Sequence, residues 1–542
     1  MKRTNLLLLS IPLLLSLISC NGGIKESVSE SSELSIESSI VSEEESLVPS
    51  EEESVLVSEE ESIPVEESSA EESIPVEESI EESVLTEESI EESVPASEGE
   101  SVEESVAISE SEPHEEIDFT PVDTEIQRSY NYFMKYTNLT AGSNGFGLTQ
   151  DRLTGTDYSS IAATGFLLGC YPVFVEQGLM KKDRAKEIVD GTLDTVLRIQ
   201  ADEDTSYAGM ISHFVSKTNG KRYESCEIST IDTAILVSGA ICASEYFDDE
   251  DLINKANTVW GNVDYTKYIV TKNGRSYISM GMDDSTHRNK VDGKWDQYAE
   301  QLMIYILGAG NPNPNHRLSS TLYKDFTKSK GTYNGITHIQ SWFGSIFTYQ
   351  YSHAFFNFKL YNDYQGVNYF TNSVLASQTS YQYCQDLAEL YPTFSDSSWG
   401  LTACDTPEGY SGLLGAYPRG YTVASDVFDM YYRILGTIAP TGALGSMPFT
   451  PEESMRALEY YQSLPKLNDS TFGLRDAFNL SYKGPNATKA KQWFCADYIG
   501  IDKGIAVMQM YNYKNPDFVS NLAMKNPYVI EGFLNNEFVE VN

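Results

Sequence analysis

Beyond residue 157 the chain alternates between two hydrophobic patterns. Stretches 158–175 and 229–247 are apolar at almost every position and rich in Gly and Ala, whereas 183–199 and 251–260 are apolar only every third or fourth residue. The first pattern predicts a helix covered all round, the second a helix covered on one face. The alternation recurs at 295–307 with 319–328, 339–358 with 367–390, 438–447 with 451–464, and 501–511 with 518–533. Gly178 is placed to stop the first of these helices and Asp183 to cap the second. Six buried helices, each followed by an amphipathic one, fit an inner ring inside an outer ring, an all-α (α/α)6 toroid over 122–542. A solenoid also stacks helix pairs, but its repeats keep a constant length. Here the interval between successive buried helices runs from about 44 to about 99 residues.

The first 121 residues lack this pattern. Residues 1–20 carry Lys2 and Arg3, an apolar run over 6–18 and the ending Leu17-Ile-Ser-Cys20, the layout of an export signal. Leu-x-Ser-Cys resembles the bacterial lipobox, which implies cleavage before Cys20 and lipidation of its sulfur; an ordinary secretory signal with an incidental Cys is the alternative. The run is too short to span a bilayer, so the expectation is an extracytoplasmic protein held to the bacterial membrane by lipid alone. Residues 21–121 form a Ser/Glu-rich segment with ten-residue repeats such as EESIPVEESI at 71–80. Its 33 Glu and single Lys over 21–116 account for 32 of the 43 net negative charges of the 542-residue chain. Too much like charge and too little aromatic surface make it a disordered tether.

With the tether removed, 47 acids face 34 bases over 118–542. There is no basic stripe to neutralise phosphates, so nucleic acid is excluded as a partner. The six Cys at 170, 226, 242, 384, 404 and 495 lack metal-ligand spacing and lie mostly in apolar surroundings, so they read as small buried hydrophobes. No metal and no cofactor is expected.

Two acids stand out against this background. Glu227 lies just ahead of Ser229, a plausible N-cap, with Asp232 in the first turn of a helix too apolar for an outer position, and Glu300 is flanked by Trp295, Tyr298, Leu302, Met303 and Ile304. Carboxylates commonly complement a helix dipole at such places, but these would open into the interior of the toroid. A desolvated carboxyl has a raised pKa, as a general acid needs near neutral pH. A loop over 397–410 adds Trp399, which could stack on a sugar ring, and Asp405, which could bind hydroxyls or activate water; an exposed loop with an Asx turn is the plainer alternative. His353 is the histidine best placed to line a cleft, or else a satisfied core histidine, and Asp502 reads as a cap or a cleft residue. Asp248–Asp249 and Asp283–Asp284 read as capping and loop acids.

Several motifs, SSIAATGF at 159–166, EISTIDTA at 227–234, WGLTACD at 399–405, TIAPT at 437–441, PFTPE at 448–452 and YIGID at 498–502, resemble the glucoamylase-like domain in the right order over about 125–536. That group includes the bacterial endo-β-1,2-glucanases of glycoside hydrolase family 144 and the transglycosylase domain of cyclic β-1,2-glucan synthases. The resemblance implies an (α/α)6 barrel, an oligo- or polysaccharide substrate, and Glu227 and Glu300 as the catalytic pair. Trp295, with Asp232, His353, Trp399, Asp405 and Asp502, is expected on the substrate-binding surface. The chain departs from the family pattern at Phe355, Asn357 and Lys359, where Trp, Asp and Arg are usual, at Lys503 for Gln, and at Tyr511 for Glu. The expected activity is hydrolysis of a β-linked glucan, best β-1,2-glucan. A transglycosylase or α-glucosidase on the same scaffold, or a glycan-binding lipoprotein without catalysis, remains open.

Overall fold

The computed structural model describes residues 117–541 apart from 155–156, 284–288 and 417–424. The leader with Cys20, residues 21–116 of the tether, and Asp284 lie outside the described residues. Thr120 and Pro121, assigned above to the tether, form the first turn of α1 (Thr120–Tyr136). The helices that follow are α2 (Ile161–Glu176), α3 (Lys182–Gln200), α4 (Thr230–Phe247), α5 (Glu250–Gly261), α6 (Leu302–Ala309), α7 (Ser320–Asp325) and α8 (Tyr351–Phe355). After them come α9 (Tyr369–Asp386), α10 (Ser425–Ile434), α11 (Pro440–Leu444), α12 (Pro451–Gln462), α13 (Gly500–Lys514), α14 (Phe518–Ala523) and α15 (Pro527–Asn535).

The fold is the expected (α/α)6 barrel. Its inner helices are α2, α4, α6, α8, α11 and α13, and contacts between successive members close the ring. Met303 N donates to Ser352 Oγ at 3.1 Å between α6 and α8, Gln350 Nε2 to Gly442 O at 2.8 Å between α8 and α11, and Thr441 Oγ1 to Asp502 O at 3.2 Å between α11 and α13. Cys170 Sγ points at Gly504 O, 3.6 Å away, between α2 and α13. The inner segments are buried round nearly their whole circumference, as their composition predicts.

Glycine sets the tightest of these approaches. A Cβ on Gly165 would stand 2.6 Å from the backbone of Ile235, one on Gly239 would overlap Gly165 O, and one on Gly504 would overlap Phe166. Gly178 ends the α2 segment with φ +69°, the stop foreseen from the sequence. Asp183 does not cap α3; it lies in the first turn, and Lys181 occupies the N-cap position without a side-chain bond. Ser229 caps α4 and Asp249 caps α5 through Leu252 N.

The last pairing differs from the expected one. Residues 518–533 break at Asn526-Pro527 into α14 and α15, which pack beneath α4 and α6. The outer neighbour of α13 is α1, joined by Lys503 to Glu125 at 2.8 Å and Lys514 to Asp123 at 2.5 Å. Residues 295–301, expected to be helical, form an extended segment and turn ahead of α6. Short antiparallel strands, invisible to the helical periodicity, fill the loops. Tyr158–Ser160 pairs with Phe214–Ser216, and Ile228–Ser229 with Gly281–Met282.

Because Gly239 meets backbone rather than a flexible side chain, Gly239→Ala is expected to lower stability by at least about 2 kcal/mol. A shift of the urea midpoint without a change of slope would register it.

Candidate active site at the inner-helix N-termini

The inner helices run parallel. Gly165 lies against Ile235, Gly500 against Ala163, and Gly504 against Phe166, each near the start of its helix. The N-termini therefore gather at one end of the barrel, where their partial positive charges favour anions. Glu227, Asp232, Glu300 and Asp502 all stand at this end.

The strand pairs bring a residue that the sequence reading overlooked into the centre of the group. His213 N donates to Glu227 O at 2.8 Å, and His213 O accepts from Ile161 N at 3.1 Å, so its backbone links the starts of α2 and α4. Its ring stacks on Phe214 with centroids 4.0 Å apart and planes 17° from parallel. Nδ1 lies 2.9 Å from Glu227 Oε1 and Nε2 lies 3.6 Å from Asp232 Oδ1. Burial disfavours the imidazolium, but Asp232 and Glu227 outweigh that cost and raise its pKa to about 10. Burial pushes Glu227 up, His213 pulls it down by more, and its pKa falls to about 2. Asp232 is raised by burial, against the pull of His213 and of the Ser229 hydroxyl that bonds it.

Glu300 is the opposite case. It is 9 % exposed, its Oε2 has no hydrogen-bond partner among the described residues, and burial followed by the charge of Asp232 raises its pKa to about 7. Its backbone is fixed from α8, where Ser352 Oγ donates to Glu300 O at 2.7 Å. The site thus holds one carboxyl that titrates near neutrality and one held ionised. Glu227, with a side chain 36 % exposed, is the more open of the two.

A second group adjoins the first across Tyr351, whose buried hydroxyl senses Asp502, Tyr410, Glu300 and Asp232. Arg152 Nη1 lies 3.1 Å from Asp405 Oδ1, and the same guanidinium meets Asp151 at 3.3 Å and Asp497 at 3.9 Å. Asp476 Oδ2 accepts from Asp405 N at 2.7 Å, and the Asp476 and Asp502 carboxyls bond each other. Burial and the charges of Asp502 and Asp405 push Asp476 well up, and burial and Asp405 raise Asp502 to about 7 although the bond from Asp476 pulls it down, so the pair retains a shared proton. Asp405 is therefore an ion-pair member rather than a free acid, and Asp502 lies in the first turn of α13 without capping it, bonded instead to Asp476. Asp405, Asp476 and Cys495 present ligand atoms within 4.8 Å of one another, but the Asp405 carboxylate already pairs with Arg152. All six cysteines of the folded part are buried, as read from their surroundings, and free.

Three expected substrate contacts are corrected by burial. Trp399 is fully buried, its Nε1 donates to Glu453 O at 3.2 Å, and Tyr381 packs edge-on against it, so neither ring face is free for a sugar. His353 is a core histidine: Nε2 lies 3.0 Å from Ser373 Oγ, Phe358, Phe370 and Phe449 surround the ring, and burial lowers its pKa to about 3. Trp295 is 3 % exposed and donates to Thr230 Oγ1 at 3.2 Å; the partly exposed Trp342 lies beside it, 5.8 Å between centroids. The departures from the family pattern find structural partners. Lys503 pairs with Glu125, Lys359 with Asp517 at 2.6 Å, Asn357 donates to Asn521 at 2.7 Å, and Tyr511 packs on Phe518.

Residues 292–527, somewhat under half of the chain, match the Glycoamylase family model. The chain is 25% identical over 426 residues to an exo β-1,2-glucooligosaccharide sophorohydrolase (non-reducing end) of Parabacteroides distasonis, covering 71% of this chain and 54% of that protein, so the chain spans about half the length of this curated relative. Among solved structures, the endo-β-1,2-glucanase of Chitinophaga pinensis, in complex with sophorotriose and glucose, superposes with a TM-score of 0.64 at 20% identity, over 77% of this chain and 98% of that one. The β-1,2-glucanase of Parabacteroides distasonis gives a TM-score of 0.64 at 21% identity, over 78% and 60%.

The raised pKa of Glu300 ties stability to pH. The folded protein keeps a proton that the unfolded chain releases near its ordinary value of 4.5, so the contribution of this group to stability falls as pH rises from about 4.5 to about 7 and is level beyond. Between pH 5 and pH 8 the wild type is expected to lose about 2 kcal/mol through this group, a loss absent in Glu300→Gln. Urea titrations of both proteins at the two pH values check this; equal pH dependence in both would contradict it.

Proposed function

We propose that this protein is a glycoside hydrolase that cleaves β-1,2-linked glucan by a two-carboxylate mechanism. The observation that carries the proposal is the pairing of a desolvated, proton-holding Glu300 with an ionised Glu227 at one end of a glucoamylase-like barrel. Glu300 donates its proton to the glycosidic oxygen as the bond to the anomeric carbon breaks. Glu227 is the ionised partner that the two-carboxylate mechanism requires while water adds to that carbon. Burial keeps the proton on Glu300, and the negative charge of Asp232 adds to that effect. The β-1,2 linkage is supported by the sophorohydrolase and endo-β-1,2-glucanase relatives.

Incubation with β-1,2-, β-1,3- and α-1,4-glucans is expected to release new reducing ends from the β-1,2-glucan alone. Glu300→Gln and Glu227→Gln should each lower kcat by about 10²-fold or more, with binding retained. Binding without any new reducing ends would sink the hydrolase reading, and an active double mutant would remove both residues from the mechanism.

The reading also places the enzyme outside the cytoplasm on a lipid anchor, supported by the Leu-x-Ser-Cys ending at Cys20 and the acidic spacer behind it. Expressed from its own leader in a bacterial host, the wild type is expected in the membrane fraction and labelled by an alkyne fatty acid. Cys20→Ala should be unlabelled, and equal labelling of the two would contradict the anchor.

A further inference from the structure

We infer that His213 is a positioning residue that clamps Glu227 and Asp232 as a permanent imidazolium, and so holds both carboxylates of the proposed reaction in their working charge states. The inference rests on the hydrolase reading for its kinetic consequences but not for its chemistry. The geometry that carries it is bidentate: one ring nitrogen faces Glu227 at 2.9 Å and the other faces Asp232 at 3.6 Å. With a carboxylate at each nitrogen, a neutral tautomer would leave one of them facing a lone pair. The ring cannot turn away without losing its stack on Phe214, and its backbone is held on both sides by Ile161 N and Glu227 O.

The charged groups around the ring are Glu227 from the loop ahead of α4, Asp232 from its first turn, and Asp151, itself 3.3 Å from Arg152. Arg222 adds a second cation on the Glu227 side. Without the imidazolium, Glu227 and Asp232 repel each other in a partly buried site and one takes a proton near neutrality. If Asp232 becomes neutral, Glu300 loses the charge that helps keep it protonated. His213 thus acts on both limbs of the pH dependence. It keeps the ionised partner ionised at low pH, and through Asp232 it keeps the proton on Glu300 at higher pH.

Two measurements on the full chain separate this inference from the functional reading. In the first, 15N NMR of histidine-labelled wild type, assigned by difference against His213→Asn, is expected to show both ring nitrogens protonated at pH 8. A ring that is neutral at pH 8 would overturn the inference whatever the enzyme hydrolyses. In the second, kcat/KM on β-1,2-glucan is followed against pH. His213→Asn is expected to narrow the bell from both sides, the acid limb rising by at least about one pH unit and the alkaline limb falling, while His213→Lys restores part of the acid limb. A bell lowered in height but unchanged in width in both variants would reduce His213 to a packing role and overturn the inference. Absence of β-1,2-glucan hydrolysis in the wild type, with the imidazolium signal present, would overturn the functional reading alone.

Discussion

The structure depends on how closely α2 and α4 approach. With Gly165 against Ile235 and Gly239 against Gly165 O, the two helices touch along their backbones. Between the starts of the two helices sits His213, at a bend between two short strands, with its carbonyl on Ile161 N and its N–H on Glu227 O. A larger side chain at either glycine would separate the helix starts and pull Glu227 and Asp232 away from the imidazole. The chemistry at the mouth is a consequence of small residues about one and about two and a half turns below it.

Parallel inner helices also explain why acids collect at one end. The N-terminal turns of α4, α6 and α13 carry partial positive charge, yet the same place is desolvated by Tyr298, Tyr349 and Tyr351, all buried. These two effects oppose each other. Where a counter-ion outweighs the cost of burial, the carboxylate stays ionised, as at Glu227 beside His213. Where none is present, burial wins and the proton stays, as on Glu300 and within the Asp476–Asp502 pair. The same end of the barrel therefore supplies carboxyls in both states.

The sequence disclosed the barrel and part of the site for one physical reason: helices buried all round leave an unmistakable compositional trace. Five of the six pairs, and Glu227, Asp232 and Glu300 at the starts of inner segments, were legible from that trace. Trp399 and His353 were misread because local sequence does not reveal whether an aromatic ring faces a cavity or a neighbouring helix. Here Glu453 O and Ser373 supply the partners from elsewhere in the chain. His213, Arg152 and Asp476 were missed because they reach the site through strands of two or three residues or through loops, whose pairing is non-local. The one available signal was a lone histidine in an apolar stretch, Ile211 to Val215, shortly before Glu227. Lys503, a departure from the family pattern, became intelligible only when Glu125 of α1 was found beside it, across 378 positions of sequence.

The central claim is that Glu300 keeps its proton near neutrality while its neighbours are ionised. 13C NMR of glutamate carboxyls in the full chain, with Glu300 assigned by difference against Glu300→Gln, reads this directly. The account predicts a protonated carboxyl at pH 5.5 that titrates near pH 7; a Glu300 signal already ionised at pH 5 would contradict it.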